Sequence, residues 1–404
     1  MNAPPDDDNC ALRLRRLTRR IPEGRNGHCL RLLGALIVVA HLAACGTVPS
    51  VPDATAAIPR SSDAVGELDA YRVSATDTAA YDGFLRRWEA DMARSGKDGV
   101  VALGLSGGGS VGAFGAGVIT GWTEAGRPDF NLVTGVSTGA MMAPFAFAGP
   151  GWDEALRRAF LDPDIASLTV PGVGIIARPS IYSGIPLSRL VARHATPELL
   201  TAIAARHHAG GRLLIATTNI DSLDTVVWNM GSIAVAAQNP AASDAAIRLF
   251  RSVIVASASV PGYFPPVALS TGDQQELHVD GAVNAPLILL PEAVATRTIS
   301  GRLRPLRLYV VVNGQVEPRE RRVRGGTMAV IGSSLTSMGR ATLRAHLQII
   351  SLFARRHDAS FRYAYVPRMM DVTPLEFRLP QMQQLFDFGR DAARSGRAFV
   401  ESDL

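Results

Sequence analysis

The stretch VALGLSGGGSVGAFGAG, Val101 to Gly117, admits two readings with different chemistry. Gly107, Gly109 and Gly112 form a G-x-G-x-x-G behind an apolar, strand-like run, the pattern of a dinucleotide-binding turn. The same glycines also form a loop whose backbone N–H groups can receive an oxyanion. The next strand separates the two. A dinucleotide fold needs an acidic residue about 20 positions on, at that strand's end, to bind a ribose hydroxyl. Here FNLVTGV, Phe130 to Val136, runs into Ser137, and Asp129 stands before the strand instead of after it. The ribose partner is missing, so Gly107, Gly108 and Gly109 are read as an oxyanion loop.

What stands in its place is TGVSTGA, Thr134 to Ala140. Gly135-Val136-Ser137-Thr138-Gly139 is a G-x-S-x-G between a strand and a helix, a nucleophile elbow. Its sharp turn holds the Ser137 hydroxyl proud of the sheet, and its two glycines remove the Cβ atoms that would clash. A helix starting beneath the serine favours negative charge developing there. A serine nucleophile needs a base. Lys97, the only lysine of the chain, is a loop residue and is set aside. His194, His207, His208, His278, His346 and His357 are available. So is the carboxylate of Asp280 in HVDGAVNAP, which ends a strand at a tight turn through Gly281. His278 lies two residues before Asp280, hence on the same face of that strand, where it is either structural or a third catalytic member.

Around these motifs β and α signals alternate. VVALGL, RLLIATTNI, TVVWNM, ELHVDGAV and LRLYVVVNG read as strands. Helices are expected over Thr78 to Arg94, after the glycine loop, after the elbow, and along Thr327 to Phe353. The alternation predicts an α/β fold with a mostly parallel central sheet and helices on both faces. No metal-ligand spacing of His, Asp or Glu occurs, and no cofactor is implied.

The N-terminus reads separately. Seven arginines in residues 1–44 precede the run LLGALIVVAHLAAC, which is shorter than the roughly 20 residues needed to span a bilayer core. This is the form of a secretory signal. Leu42-Ala43-Ala44-Cys45 resembles the lipobox of bacterial lipoproteins, in which the cysteine carries lipid and becomes the mature N-terminus. Residues 1–44 are therefore expected to be a lipoprotein signal peptide and 45–77 a lipidated Cys45 with a flexible Pro/Ala/Ser-rich tether. The catalytic domain is expected over 78–404. Cys10, Cys29 and Cys45 are the only cysteines, so a mature chain has no disulfide, zinc finger or cysteine nucleophile. Of the 41 basic and 36 acidic residues, seven and four lie in residues 1–44, which leaves the remainder at +2 against +5 for the whole. The basicity belongs largely to the leader, and no basic stripe with interleaved aromatics suggests a nucleic-acid partner.

Residues 100 to 290 resemble the patatin-like phospholipases, including a bacterial lipoprotein-type branch. The resemblance runs in order through LSGGGSVGAFGAG, TGVSTGA, GRLLIATTNIDS, ASASVPGYFPPV and HVDGAVNAP. It implies a Ser-Asp dyad without histidine, with Ser137 as nucleophile, Asp280 as base and Gly107, Gly108 and Gly109 as the oxyanion hole. Gly112, Gly135, Gly139 and Gly281 are the supporting glycines. The implied activity is acyl-ester hydrolysis of phospholipids or neutral lipids through an acyl-enzyme, without a metal. The implied setting is a lipid anchor in the bacterial envelope, at the outer membrane facing the periplasm. One departure stands out: Val111 occupies a position where the family's loop commonly carries Arg or Lys. That points toward a neutral ester substrate or an inactive enzyme. An envelope scaffold that kept the fold without the chemistry, and acyl transfer to an alcohol other than water, are the competing readings.

Overall fold

The apolar strands assemble as their patterns require. In the computed structural model, which describes residues 68–96, 98–169, 180–271, 274–295, 304–317, 327–370 and 372–401, the strands are β1 Arg72–Ser74, β2 Val100–Leu105, β3 Leu132–Val136, β4 Arg212–Asn219, β5 Asp224–Asn229, β6 Val267–Thr271, β7 Gln274–Asp280, β8 Leu306–Val312, β9 Ser360–Tyr365 and β10 Val400–Glu401. They form one sheet in the order β1-β5-β4-β3-β2-β8-β9-β10, with the β6–β7 hairpin attached through β7 to β4. The central β4, β3, β2, β8 and β9 are parallel, and the margins are antiparallel. Every residue of β2, β3 and β4 is buried, as expected of strands covered on both faces.

The helices are α1 Thr78–Arg94, α2 Gly112–Glu124, α3 Thr138–Ala148, α4 Asp153–Phe160, α5 Ile185–His194, α6 Pro197–His208, α7 Met230–Ala236, α8 Ser243–Ser257, α9 Glu292–Ala295, α10 Thr327–Arg356 and α11 Leu379–Arg394. Strand alternation divides the interior into two cores. Leu103, Leu105, Val133 and Ile215 point to the side covered by α2, α3, α6, α8 and α11. Ala102, Leu132, Leu214 and Val310 point to the side covered by α1, α9 and α10. This is the α/β architecture expected, with α1 and β2 bounded as the sequence pattern predicts.

The N-terminal boundary is different. The tether expected over 45–77 ends earlier, because Leu68–Tyr71 forms a 3-10 turn and β1 pairs antiparallel with β5. Arg72 explains the attachment: its guanidinium binds both carboxylate oxygens of Glu276 at 2.5 and 3.0 Å and lies over the Trp228 ring. The expected signal peptide, Cys45 and the start of the tether lie outside the described residues. Among the described residues no helix is long and apolar enough to cross a membrane.

The chain after Asn313 also has a structural role. α11 lies against α2 at backbone-contact distance, because both helices place glycine at the crossing. A Cβ on Gly117 would overlap the Phe386 carbonyl, one on Gly121 the Arg390 carbonyl, and one on Gly389 the Phe114 carbonyl. The loop before α11 reaches the glycine loop, where Ser110 donates from its N–H to the Pro374 carbonyl at 2.8 Å and from its hydroxyl to the Thr373 carbonyl at 3.1 Å.

Candidate active site

β3 and β4 run in parallel register until Val136 faces Ala216, and β4 then continues beyond the end of β3. The freed edge of β4 takes up β7, with Thr217 opposite Asp280. Ser137, one step beyond Val136, and Asp280 therefore arrive side by side past the end of one strand.

Ser137 turns with φ 56° and ψ −124°, a left-handed conformation rare for a residue with a side chain. Such positions typically cost on the order of 1–3 kcal/mol and persist only where the surroundings impose them. Here the surroundings are small: a Cβ on Gly135 would overlap the Gly139 carbonyl, and one on Gly139 the Leu105 carbonyl. A buried hydroxyl completes the restraint, since Ser257 Oγ accepts the Ser137 N–H at 3.0 Å and donates to the Ala216 carbonyl at 2.7 Å. Ser137 Oγ then donates to Asp280 Oδ2 at 2.6 Å. The second carboxylate oxygen, Oδ1, accepts the Ala282 N–H at 2.8 Å, and the Asp280 N–H is bound by the Ser259 carbonyl.

The pair is nearly dry, with Ser137 5% and Asp280 2% exposed. Burial pushes the Asp280 carboxyl up to about 7, against the pull of the hydrogen bonds from Ser137 and Ala282. That suits a proton acceptor working near neutrality. His278 takes no part in the pair. Its Nδ1 is 2.9 Å from Thr217 Oγ1 and its Nε2 3.3 Å from Glu276, and burial lowers its pKa against the pull of Glu276.

The glycine loop lies directly over the serine, with a Cβ on Gly107 falling 3.2 Å from Ser137 Cβ. The three glycines are not equivalent. Gly107 does not offer its N–H, because that group donates to the Pro286 carbonyl at 2.9 Å. Among the described residues the N–H groups of Gly108 and Gly109 have no such partner. Both glycines are sterically required, since a Cβ on Gly108 would overlap the Asn313 carbonyl and one on Gly109, at φ 56°, the Pro374 carbonyl. Asn313 anchors the loop through its N–H to Ser106 Oγ at 2.9 Å and its Nδ2 to the Ser106 carbonyl at 2.7 Å. Gly112 lets α2 start against the Thr138 side chain, and Gly281 lets the turn after Asp280 pass the Ala216 carbonyl. Val111 is fully buried.

In front of Ser137 opens a cleft whose lining, among the described residues, has no charged side chain. Besides Gly109, Ser137 and Thr138 it is bounded by apolar residues, among them Leu375, Phe377 and Met382 from the C-terminal region. Ser257, Pro286, Asn313 and Pro374 are the site residues that sequence reasoning missed. Ser257, Pro286 and Asn313 lie in stretches already quoted for other reasons, but like Pro374 they act through main-chain or local polar contacts that leave no sequence signature.

A serine strained at a strand-to-helix turn, a carboxylate hydrogen-bonded to it and the open N–H groups of Gly108 and Gly109 thus lie together at one end of the doubly wound sheet. Residues 103–291 match the family model described as patatin-like phospholipase. The chain thus carries a patatin-like phospholipase domain, whose general class of activity is lipid acyl hydrolysis. Among solved structures the chain is similar to the crystal structure of VipD from Legionella pneumophila, at 14% identity and a TM-score of 0.36 over 76% of this chain and 68% of that one. No curated protein matches it in sequence.

Proposed function

We propose that this chain is a serine carboxylic-ester hydrolase acting on lipid esters through a Ser137–Asp280 dyad. Asp280 accepts the Ser137 proton as Oγ attacks the ester carbonyl carbon. The oxyanion is received by the N–H groups of Gly108 and Gly109. Collapse breaks the ester bond, and Asp280 returns its proton to the departing alcohol. Water then attacks the acyl-enzyme while Asp280 takes its proton, the Ser137 Oγ–acyl bond breaks, and that proton passes to Ser137 Oγ as the fatty acid leaves. The 2.6 Å bond between Ser137 Oγ and Asp280 Oδ2 inside an apolar cleft carries this reading. That intact bond also weighs against a scaffold without chemistry. The uncharged lining, with Val111 in place of a basic residue, favours neutral esters or an acyl chain entering ahead of its headgroup.

The test compares wild type with Ser137→Ala, Asp280→Asn and His278→Ala for fluorophosphonate labelling and fatty-acid release from a panel of esters and phospholipids. Wild type and His278→Ala are expected to label and turn over. Ser137→Ala should do neither, and Asp280→Asn should lose at least about 10³-fold in turnover. A folded wild type inert in both assays overturns the proposal.

We further propose that residues 1–44 are a cleaved lipoprotein signal and that lipid on Cys45 holds the enzyme at the outer membrane facing the periplasm. The basic flank, the short apolar run and Leu42-Ala43-Ala44-Cys45 support this. Incorporation of labelled fatty acid that Cys45→Ser abolishes is the expected result.

A further inference from the structure

α10 is longer than its place in the fold requires. It returns the chain from the end of β8 to the start of the parallel β9, so it runs antiparallel to both. β9 has 6 residues and spans about 20 Å, whereas the 30 residues of α10 span about 45 Å. The surplus lies at the N-terminus of α10, which stands at the end of the sheet where Ser137 and the glycine loop are found. Leu343, Leu347, Ile350 and Phe353 are buried, while no described side chain from Val330 to Thr342 is. Arg340 marks the rim, its Nη1 3.5 Å from the Glu317 carbonyl in the loop after β8. The residues before it form an arm beyond the strand ends.

The arm has no charged residue from Thr327 to Gly339, and Arg340 and Arg344 follow it directly. In its whole length α10 carries four arginines and no acidic residue. Two turns at the same end of the sheet also display large apolar side chains: Leu223 after β4 and Met369 after β9. With Val330 and Met338 of the arm, these four residues are 80, 85, 54 and 65% exposed. Both turns are fastened from beneath, so the exposure is built into the fold. Leu223 is held at φ 59°, rare for leucine, in a turn where Asn219 Oδ1 accepts the Asp221 and Ser222 N–H groups and Asp221 Oδ2 accepts the Leu277 N–H. Under Met369, the buried Gln315 donates from Nε2 to the Met370 carbonyl at 2.7 Å and the Pro367 carbonyl at 3.2 Å.

We propose that this end of the molecule docks on an anionic phospholipid bilayer, with the α10 arm in the headgroup layer and Arg340 and Arg344 at the level of the phosphates. Leu223 and Met369 are the other points of contact, and the cleft then opens onto lipid. The docking draws its purpose from the lipid-ester reading, but binding is measured without turnover. A headgroup layer is about 5–7 Å deep, and the helix rises about 15 Å from Arg340 to Val330, so a tilted arm still reaches the acyl chains. Apolar insertion flanked by arginines is the usual chemistry of an interfacial helix. A second copy of the chain fits less well, because pairing α10 with α10 sets arginines against arginines with no carboxylate on either helix.

The deciding measurement is flotation with vesicles of phosphatidylglycerol and phosphatidylethanolamine. It uses the chain from residue 45 to 404 with Cys45→Ser, which has no lipid of its own, and Ser137→Ala, which has no turnover. This protein should float with the vesicles, and replacing phosphatidylglycerol by phosphatidylcholine should weaken binding by about fivefold per arginine. Val330→Glu with Met338→Glu should weaken it at least tenfold, since burying one apolar side chain of this size contributes about tenfold or more. Circular dichroism and melting curves check the fold. If that variant does not fold, Leu223→Asn with Met369→Gln takes its place, because asparagine tolerates the left-handed turn. No vesicle binding, or binding that the folded variants leave unchanged, overturns the proposal. So does a dimer in sedimentation that the arm variant breaks without any vesicle binding, which would assign the face to a second copy. If the chain with Ser137 intact takes no fluorophosphonate and releases no fatty acid, yet the arm still governs flotation, the docking stands and the hydrolase reading falls.

Discussion

Asp280 carries two opposed consequences of burial. As a base it must be ionised, so kcat/KM should rise with pH and level off above about 7, where the carboxyl loses its proton. For stability the sign reverses. Unfolded, the carboxyl deprotonates near 3.8, whereas folded it holds its proton up to about 7. Between these values the folded state binds more protons, and stability falls as pH rises through the window. The shift corresponds to at most roughly 4 kcal/mol. Asp280→Asn removes the buried charge and should melt higher than wild type at pH 8, with the difference vanishing by about pH 4. A melting series from pH 4 to 8 reads both limits. An Asn variant that melts lower at pH 8 would show that the lost Ser137 and Ala282 hydrogen bonds outweigh the charge.

At the scale of elements, the elbow depends on a helix that does not contain it. Ser257 ends α8 and ties the Ser137 N–H to the Ala216 carbonyl, joining the turn to β4. Ser257→Ala leaves a buried N–H and a buried carbonyl unpaired, at a cost of about 1–3 kcal/mol. Fluorophosphonate labelling of Ser137 should slow by about tenfold or more while Ser137 remains the labelled residue. Unchanged labelling kinetics would show that the glycines alone hold the strained turn. A second junction lies between α2 and α11, whose close approach requires Gly117, Gly121 and Gly389. Gly117→Val forces a side chain onto the Phe386 carbonyl and should destabilise by more than about 3 kcal/mol, measured by chemical denaturation. Activity should fall with it, because α11 supplies Met382 and the loop before it supplies Leu375 and Phe377 to the cleft. These junctions mark the limit of what the sequence discloses. The order strand, glycine loop, helix, strand, elbow and helix is local, and periodicity reveals it. The choice of Gly108 and Gly109 over Gly107 depends on the Pro286 carbonyl, far along the chain and without a side-chain signature.

At the scale of the whole molecule, the short edge strands were illegible because three residues such as Arg72–Ser74 carry no period, and their pairing is decided by partners elsewhere. β1 nevertheless couples the sheet edge to the site. Arg72 binds Glu276, Glu276 also accepts from Asn219 Nδ2 and faces His278, and β7 carries these residues toward Asp280. The guanidinium holds the Glu276 carboxyl below its ordinary range, so the pair is formed at neutral pH. A chain beginning at Thr78, the boundary that composition suggests, loses the strand, the ion pair and the cover over Trp228. A chain beginning at Gly66 retains all three. The shorter one should be less stable by about 2 kcal/mol or more, since hydrogen bonds to charged groups contribute about 1.5–3 kcal/mol and a strand edge is uncovered as well. Because Glu276 and Asp280 share β7, its turnover should fall further than its stability alone accounts for when both are assayed well below their melting temperatures. Arg72→Met in the longer chain separates the contributions: it keeps the strand and removes the ion pair. If the variant matches the longer chain in turnover while the Thr78 chain does not, backbone pairing of β1 sustains the site. If it matches the shorter chain, the ion pair beneath β7 does.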